Sequence, residues 1–413
     1  MRQIIPNTSK QTKQVVLLYV TTVLGVLIGV LNSVINTRSL EPKFYGDVRY
    51  VQNIISFISS LLLVGFFVSG SRLLALSKDE NYSRRIRGAM VVILTITIFI
   101  VMICMTIFYF VSVAQGKTNL KSLWLVSIPL CGNVLMLNYV NTTAQGDNHI
   151  GRISIARLAP SAIYCLLAYF IYRSFGATPI LMLLLYNGIS VLILFFVIWS
   201  TKPSFENLRL SFKQLYEENK SYGFNVYIGS VVGVSTGYIA GITLGYFCEN
   251  NAGVGFYTLA LTISHPLSML PAIIGTTFFK RFANENRISR KIMFASFGIT
   301  AISCLLFIAF IHIVVNLLYD ESYSSVSTYA KWLSIGTSLH GLGDMINRFL
   351  GAHGQGRQIR NSAIACGTVK TIGSILFVYL WQINGAVLSA ILGSSVYFAC
   401  LIIYYLNYIK QQK

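Results

Sequence analysis

Five ionisable side chains interrupt otherwise apolar runs: Arg72, Arg157, Asp344, Arg348 and Lys370. A charge in hydrocarbon costs several kcal/mol unless it is paired or wetted, so each one is a candidate for function. Four cations against one acid point to an anionic cargo. Guanidinium forks and ammonium groups are the usual partners of phosphate oxygens, and an exporter of cations needs carboxylates instead. Arg38 and Arg49, at the outer ends of the first two apolar runs, are placed to hold the anion once it has crossed. A plainer reading competes with this one. Asp344 and Arg348 stand i,i+4 with Lys370 on the next run, the spacing of an ion triad that clips a hairpin together. Arg72 and Arg157 can also snorkel to the interface.

Other chemistry is missing from the chain. There is no phosphate-loop pattern, no H-E-x-x-H and no Ser/His/Asp spacing, so neither enzyme activity nor a cofactor or metal is expected. The Gly351–Gly356 stretch reads as a turn at a helix end. Histidines at 149, 265, 312, 340 and 353 are scattered; His265-Pro266 alone stands where a proline breaks the helical ladder and exposes a carbonyl. The seven cysteines all lie in apolar runs without a C-x-x-C pair and read as small buried hydrophobes.

Positioning these groups falls to the hydrophobic runs. Of 413 residues, 54% are apolar and only 11% charged, against about 25% charged in soluble proteins. Soluble enzyme, secreted disulfide scaffold and disordered tail are excluded; the chain reads as an integral protein of the lipid bilayer. The net charge of +19 sits in short tracts between apolar runs, which speaks for membrane topology rather than a nucleic-acid partner. Spans of about 20 apolar residues fall at 14–36, 48–71, 88–113, 122–144, 152–173, 178–199, 222–247, 252–279, 292–318, 326–350, 358–380 and 383–408. The first is too long for a signal h-region and has no small-residue cleavage site after it, so it reads as retained. Lys and Arg number 21 in the N-terminal tail and alternate loops and 7 on the opposite side. The positive-inside rule then puts both termini in the cytoplasm.

Two segments recur at nearly the same offset, 209 and 210 residues. Residues 41–51 align with 249–260, matching Gly46 to Gly255, and 142–155 align with 352–364, matching Gln145-Gly146 to Gln355-Gly356. Agreement of the offsets implies a parallel repeat of six crossings. The expected organisation is all-α and polytopic: an N-lobe at 1–199 and a C-lobe at 222–413, the two forming lobes around a central cavity. Between them, 200–221 reads as an amphipathic cytoplasmic helix presenting Phe205, Leu208, Phe212 and Leu215 to the membrane face.

Three short motifs carry a family resemblance. They are the Leu40-Glu41-Pro42-Lys43-Phe44-Tyr45-Gly46 start of the second crossing, the Gly255-Phe256-Tyr257 start of the eighth, and its Phe278-Phe279-Lys280-Arg281-Phe282 exit. On a frame of two six-helix halves these resemble the polysaccharide-unit flippases (Wzx type), of the superfamily that also holds multidrug/toxin exporters and the lipid II flippase. The resemblance implies a bacterial inner-membrane protein moving undecaprenyl-pyrophosphate-linked oligosaccharide to the periplasmic leaflet by alternating access, for O-antigen, capsule or exopolysaccharide. It implies a basic cavity lined by crossings one, two, seven and eight. There Asn32, Asn36, Asn53, Asn225 and Tyr227, with the basic groups, replace hydration of the head group. Without a nucleotide site, a proton or sodium gradient is a candidate driving force, with Asp344 as the interior carboxylate available for coupling. Three other readings stay open: an ion-coupled drug exporter of the same superfamily, a glycan-assembly enzyme such as a polymerase, and a general twelve-helix facilitator, whose G-x-x-x-D-R-x-G-R-R pattern the basic loop 78–88 lacks. Short outer loops argue against the polymerase.

Overall fold

The computed structural model describes residues 8–114, 116 and 118–412; Arg2, Lys117 and Lys413 lie outside them, as do the side chains of Lys10, Lys13, Asn225 and Lys280. The described residues are helical almost throughout and contain no strand.

The first half begins with α1 (Thr8–Ser39) and α2 (Pro42–Leu61), and α3 (Phe66–Leu76) follows after a 59° bend. Then come α4 (Glu80–Ala114), α5 (Lys121–Ser127), α6 (Asn133–Gly146), α7 (Ile150–Phe175) and α8 (Pro179–Ser200). The second half runs through α9 (Leu208–Glu218), a π-helical turn (Asn219–Gly223), α10 (Phe224–Phe247), α11 (Ala252–Ser264) and α12 (Pro266–Thr277). It ends with α13 (Phe279–Phe282), α14 (Arg290–Leu318), α15 (Val326–Ala352) and α16 (Gly356–Gln411).

Nine helical segments among the described residues are long and apolar enough to cross a bilayer by themselves, and the bent pair α2–α3 makes a tenth. Two more follow on physical grounds. Helix α15 has 27 residues, but its glycines, serines, His340, Asp344 and Arg348 make it more polar than a span that faces lipid all round. Helix α16 has 56 residues, about 84 Å at 1.5 Å per residue, far more than a hydrocarbon core of about 30 Å needs. It breaks at Gln382, where φ is 49°. The arms 356–381 and 383–411 fold back on each other, since Gly385 abuts Phe377, Gly373 faces Ser389 and Gly393 faces Lys370. Each of the twelve expected crossings thus has a helical counterpart, and the protein is a multi-pass, all-helical membrane protein.

The chain divides into two compact units, one of 1–39 with 55–228 and one of 40–54 with 229–413. Residues 40–54 group with the second unit because Asn251 Nδ2 donates to Asp47 Oδ1 (2.6 Å) and Tyr323 Oη donates to the Leu40 carbonyl (2.8 Å). The stretch after α8 groups with the first unit through α9. That helix is shorter than 200–221, and Phe205 lies before it, 55% exposed. Its inward face is Ser211, Leu215 and the following Asn219, all buried at helical spacing.

Helices in lipid gain no hydrophobic driving force from meeting, so small residues that let backbones approach decide the packing. Helix α15 shows this in the second unit. Gly336 lies against Ile391, Gly341 against Ser268 and Pro271, and Gly343 against Tyr397, so three glycines seat two neighbours, α12 and the second arm of α16. Toward the C-terminal end of α15, Phe282, Ile288, Met345, Phe349, Leu401 and Tyr405 form a buried cluster. Large apolar side chains such as Ile103 and Phe110 on α4, and Leu305 and Leu317 on α14, point outward as a lipid-facing surface requires. Cys131, Cys304 and Cys366 are buried, while the other four cysteines are only half-buried.

Candidate functional site

In the first unit, α1 packs along α7 and the polar residues of α1 serve that contact. Asn32 Nδ2 donates to the Ser161 carbonyl (3.1 Å). Asn36 Oδ1 accepts from Tyr164 Oη (2.5 Å) and Tyr172 Oη (3.4 Å). Both asparagines are buried, so the structure places them between helices rather than on an open face. Arg38 stands exposed in the last turn of α1, where a cation complements the helix C-terminus. Arg157 is exposed on α7, its Nε donating to Asn141 Oδ1 of α6 (3.1 Å).

The bend between α2 and α3 is a second assembly. Gly65 takes φ 81°, a left-handed conformation natural to glycine, and a Cβ there would lie 2.5 Å from the Gly223 carbonyl oxygen. Asn219 Nδ2 donates to the Val64 carbonyl (3.1 Å), and Ser69 Oγ donates to Asn219 Oδ1 (3.1 Å). Arg72 meets Glu218 at 2.5 Å and stacks over Tyr222 at 4.8 Å from the ring centroid. Tyr227 Oη donates to the Leu61 carbonyl. Tyr227 thus meets the end of α2 at the break, and Arg72 on α3 meets the segment just before α10, while the Asn225 side chain lies outside the described residues.

In the second unit, Arg49 stacks over Tyr45 at 5.0 Å and donates to Gln52 Oε1 (3.0 Å). Asn53 packs against Gly241 of α10. Gly46 and Gly255, the glycines aligned by the internal repeat, are in contact. The partnership is reciprocal: Gly46 sits on the Asn251 carbonyl and Gly255 on the Pro42 carbonyl, the corresponding residue of the other repeat.

Asp344 and Arg348 do not form the expected ion pair. None of the ion pairs among the described residues contains Asp344, Arg348, Arg157 or Lys370. Asp344 Oδ1 instead accepts from Tyr397 Oη (3.0 Å), which in turn accepts from Asn347 Nδ2 (2.8 Å). Arg348 points out beside Gly275, and Lys370 lines a cavity inside the second unit with His265 and His340.

One charged cluster escaped the sequence reading, which counted its members only as loop charges. Arg87 is 4% exposed; its Nη1 donates to the Thr201 carbonyl (2.6 Å) and its Nη2 to Glu80 (2.9 Å). Its Nε lies 3.2 Å from Asp147, whose carboxylate also takes Arg152 at 3.5 Å. Burial pushes the Asp147 carboxyl up, against the pull of Arg87 and Arg152. Nearby, Arg84 donates to the Lys202 carbonyl (2.9 Å), so four segments of the first unit are tied at one end. Asp47 was missed likewise: α2 starts early enough to carry it inside the helix, and it is 3% exposed.

Residues 12–284 match the family described as polysaccharide biosynthesis protein. No curated protein is significantly similar to the chain in sequence. Among solved structures, a lipid II flippase MurJ in an inward closed conformation has a TM-score of 0.73 at 12% identity, covering 94% of this chain and 87% of that one. An inward-facing multidrug-resistance MATE transporter of the MOP superfamily has a TM-score of 0.69 at 14% identity, covering 94% and 95%. The Vibrio cholerae MATE transporter VcmN has 0.55 at 14% identity, covering 98% of both. At these identities the likeness establishes the fold: the twelve-helix, two-lobed fold of MOP-superfamily transporters.

Proposed function

The chain belongs to the polysaccharide biosynthesis protein family, and from that premise we propose that it is a flippase for a diphosphate-linked lipid oligosaccharide. In this reading the undecaprenyl-pyrophosphate-linked repeat unit passes from the cytoplasmic to the periplasmic leaflet of a bacterial inner membrane by alternating access, and both termini are cytoplasmic. The observation that carries it is that Arg157 and Arg348 stand in membrane-spanning helices and, among the described residues, have no carboxylate within 4.0 Å. A guanidinium held in that state awaits an anion, and phosphate oxygens match its fork. Arg38, Arg49 and Arg72 supply further positive charge, and Asn53, Asn225 and Tyr227 offer neutral polar groups to sugars. Asn32 and Asn36 act at one remove, fixing α1 against α7. The prenyl tail stays in lipid throughout, so only the head group needs replacement of its water.

Complementation of a strain lacking its own flippase tests this. Arg157→Ala and Arg348→Ala each lower glycan surface display at least tenfold while protein in the membrane stays level. Full display in the double variant overturns the assignment. In the same assay Asp344→Asn tests proton or sodium coupling. The reading of Asp344 as the coupling group is withdrawn if display keeps its wild-type response to external pH and to sodium. A drug exporter is the second reading, favoured by the TM-score of 0.69 to a MATE transporter. It expects drug sensitivity with normal surface glycan on deletion of the gene.

A further inference from the structure

The cavity at Lys370 is unlike the arginine sites. It lies within the second unit between α10, α11, α12, α15 and both arms of α16, and holds about 210 Å³. That is below the roughly 300 Å³ at which pockets for drug-sized ligands begin, and a diphosphate carrying sugars is larger still. Its polar lining includes Lys370, Ser374, Ser394, Thr236, His265 and His340, with no carboxylate. Thr236 Oγ1 is committed to the Val232 carbonyl (2.8 Å). Ser374 and Ser394 differ. They are 1% and 5% exposed, and among the described residues neither hydroxyl has a hydrogen-bond partner. His340 stacks on Tyr397 at 4.6 Å, and its Nδ1 is buried without a partner. The nearby carboxylate, Asp344, is engaged by Tyr397 and makes no ion pair with Lys370.

A cationic side chain in mid-membrane needs a counter-charge, and buried donors need acceptors. Every uncommitted polar group here is able to donate: the Lys370 amino group, two serine hydroxyls, the Tyr257 hydroxyl and the imidazoles of His265 and His340, while Ser268 and Thr337 are bonded to carbonyls of their own helices. Such a shell repels a metal cation and suits a small anion. We propose that this cavity binds one small inorganic anion of the halide class, held by Lys370 with Ser374 and Ser394. The site is separate from the one that takes the transported head group, and stands or falls independently of the cargo's identity.

Radioactive chloride binding to the full-length protein in lipid nanodiscs tests it, at constant ionic strength with gluconate as the replacing anion. Wild type should bind chloride saturably at about one per chain, with iodide competing. Lys370→Met weakens binding at least tenfold, and Ser374→Ala with Ser394→Ala weakens it several-fold with the lysine retained. Arg281→Gln, at an exposed position of the short helix α13, leaves binding intact and controls for surface charge. Undiminished chloride binding by the folded Lys370→Met protein, or by the serine pair where Lys370→Met does not fold, overturns the proposal. So does absence of saturable binding in wild type. Displacement of chloride by inorganic pyrophosphate also overturns it, because the cavity would then be part of the diphosphate site.

Discussion

At the residue scale, Arg87 is the charge on which most depends. Its guanidinium is 5% exposed and answers Asp147, 7% exposed, together with the Thr201 carbonyl. Breaking a buried pair from one side leaves an uncompensated charge and costs about 3–5 kcal/mol. Arg87→Ala should therefore lower the thermal midpoint of the purified protein clearly, and adding Asp147→Ala should restore part of the loss. A single variant as stable as wild type would show that the pair is solvated. Arg72–Glu218 is the contrast. Arg72 is 48% exposed, and pairs of that kind contribute about 0–1 kcal/mol, so the contact orients α9 more than it stabilises the fold. Legibility at this scale was partial. That Asp344, Arg348 and Lys370 sit on adjacent helical segments was readable from spacing. That Tyr397, some fifty residues on, takes the carboxylate instead of Arg348 was not.

At the element scale, the two repeat starts meet through their glycines. A Cβ on Gly46 would overlap the Asn251 carbonyl, so any larger side chain forces α2 and α11 apart and breaks the Asp47–Asn251 hydrogen bond. Gly46→Leu should leave the protein inserted in the membrane and abolish glycan display. It should also prevent disulfide formation between cysteines placed at 42 and 251. Efficient cross-linking in the Gly46→Leu background would mean that the helices accommodate the side chain. The repeat alignment identified both glycines from sequence, and each was expected only as a helix start. Their mutual contact depends on how the helices cross, which one strand of letters does not encode. Helix α15 teaches the converse. The glycines that make it the packing centre of the second unit also lower its apolarity.

At the scale of the whole molecule, the excess of Lys and Arg in alternate loops predicts an orientation by the positive-inside rule. With both termini cytoplasmic, green fluorescent protein fused after Lys413 should fluoresce, and alkaline phosphatase fused there should be inactive. The reverse pattern would invert the reading of every loop charge. The same even number of crossings accounts for the parallel repeat, since each half starts from the same side.

The sequence by itself determined that the chain lives in a bilayer, how many times it crosses and which broad class of transporter it resembles. Transfer into hydrocarbon is a sum over residues, local and insensitive to neighbours, so it can be read in order along the chain. Tertiary structure decided which charges find partners, that residues 40–54 group with the second unit, and that Lys370 faces a small cavity of its own. Those outcomes turn on the rotation of each helix about its axis and on close approach at particular glycines, quantities set only when all the helices pack at once.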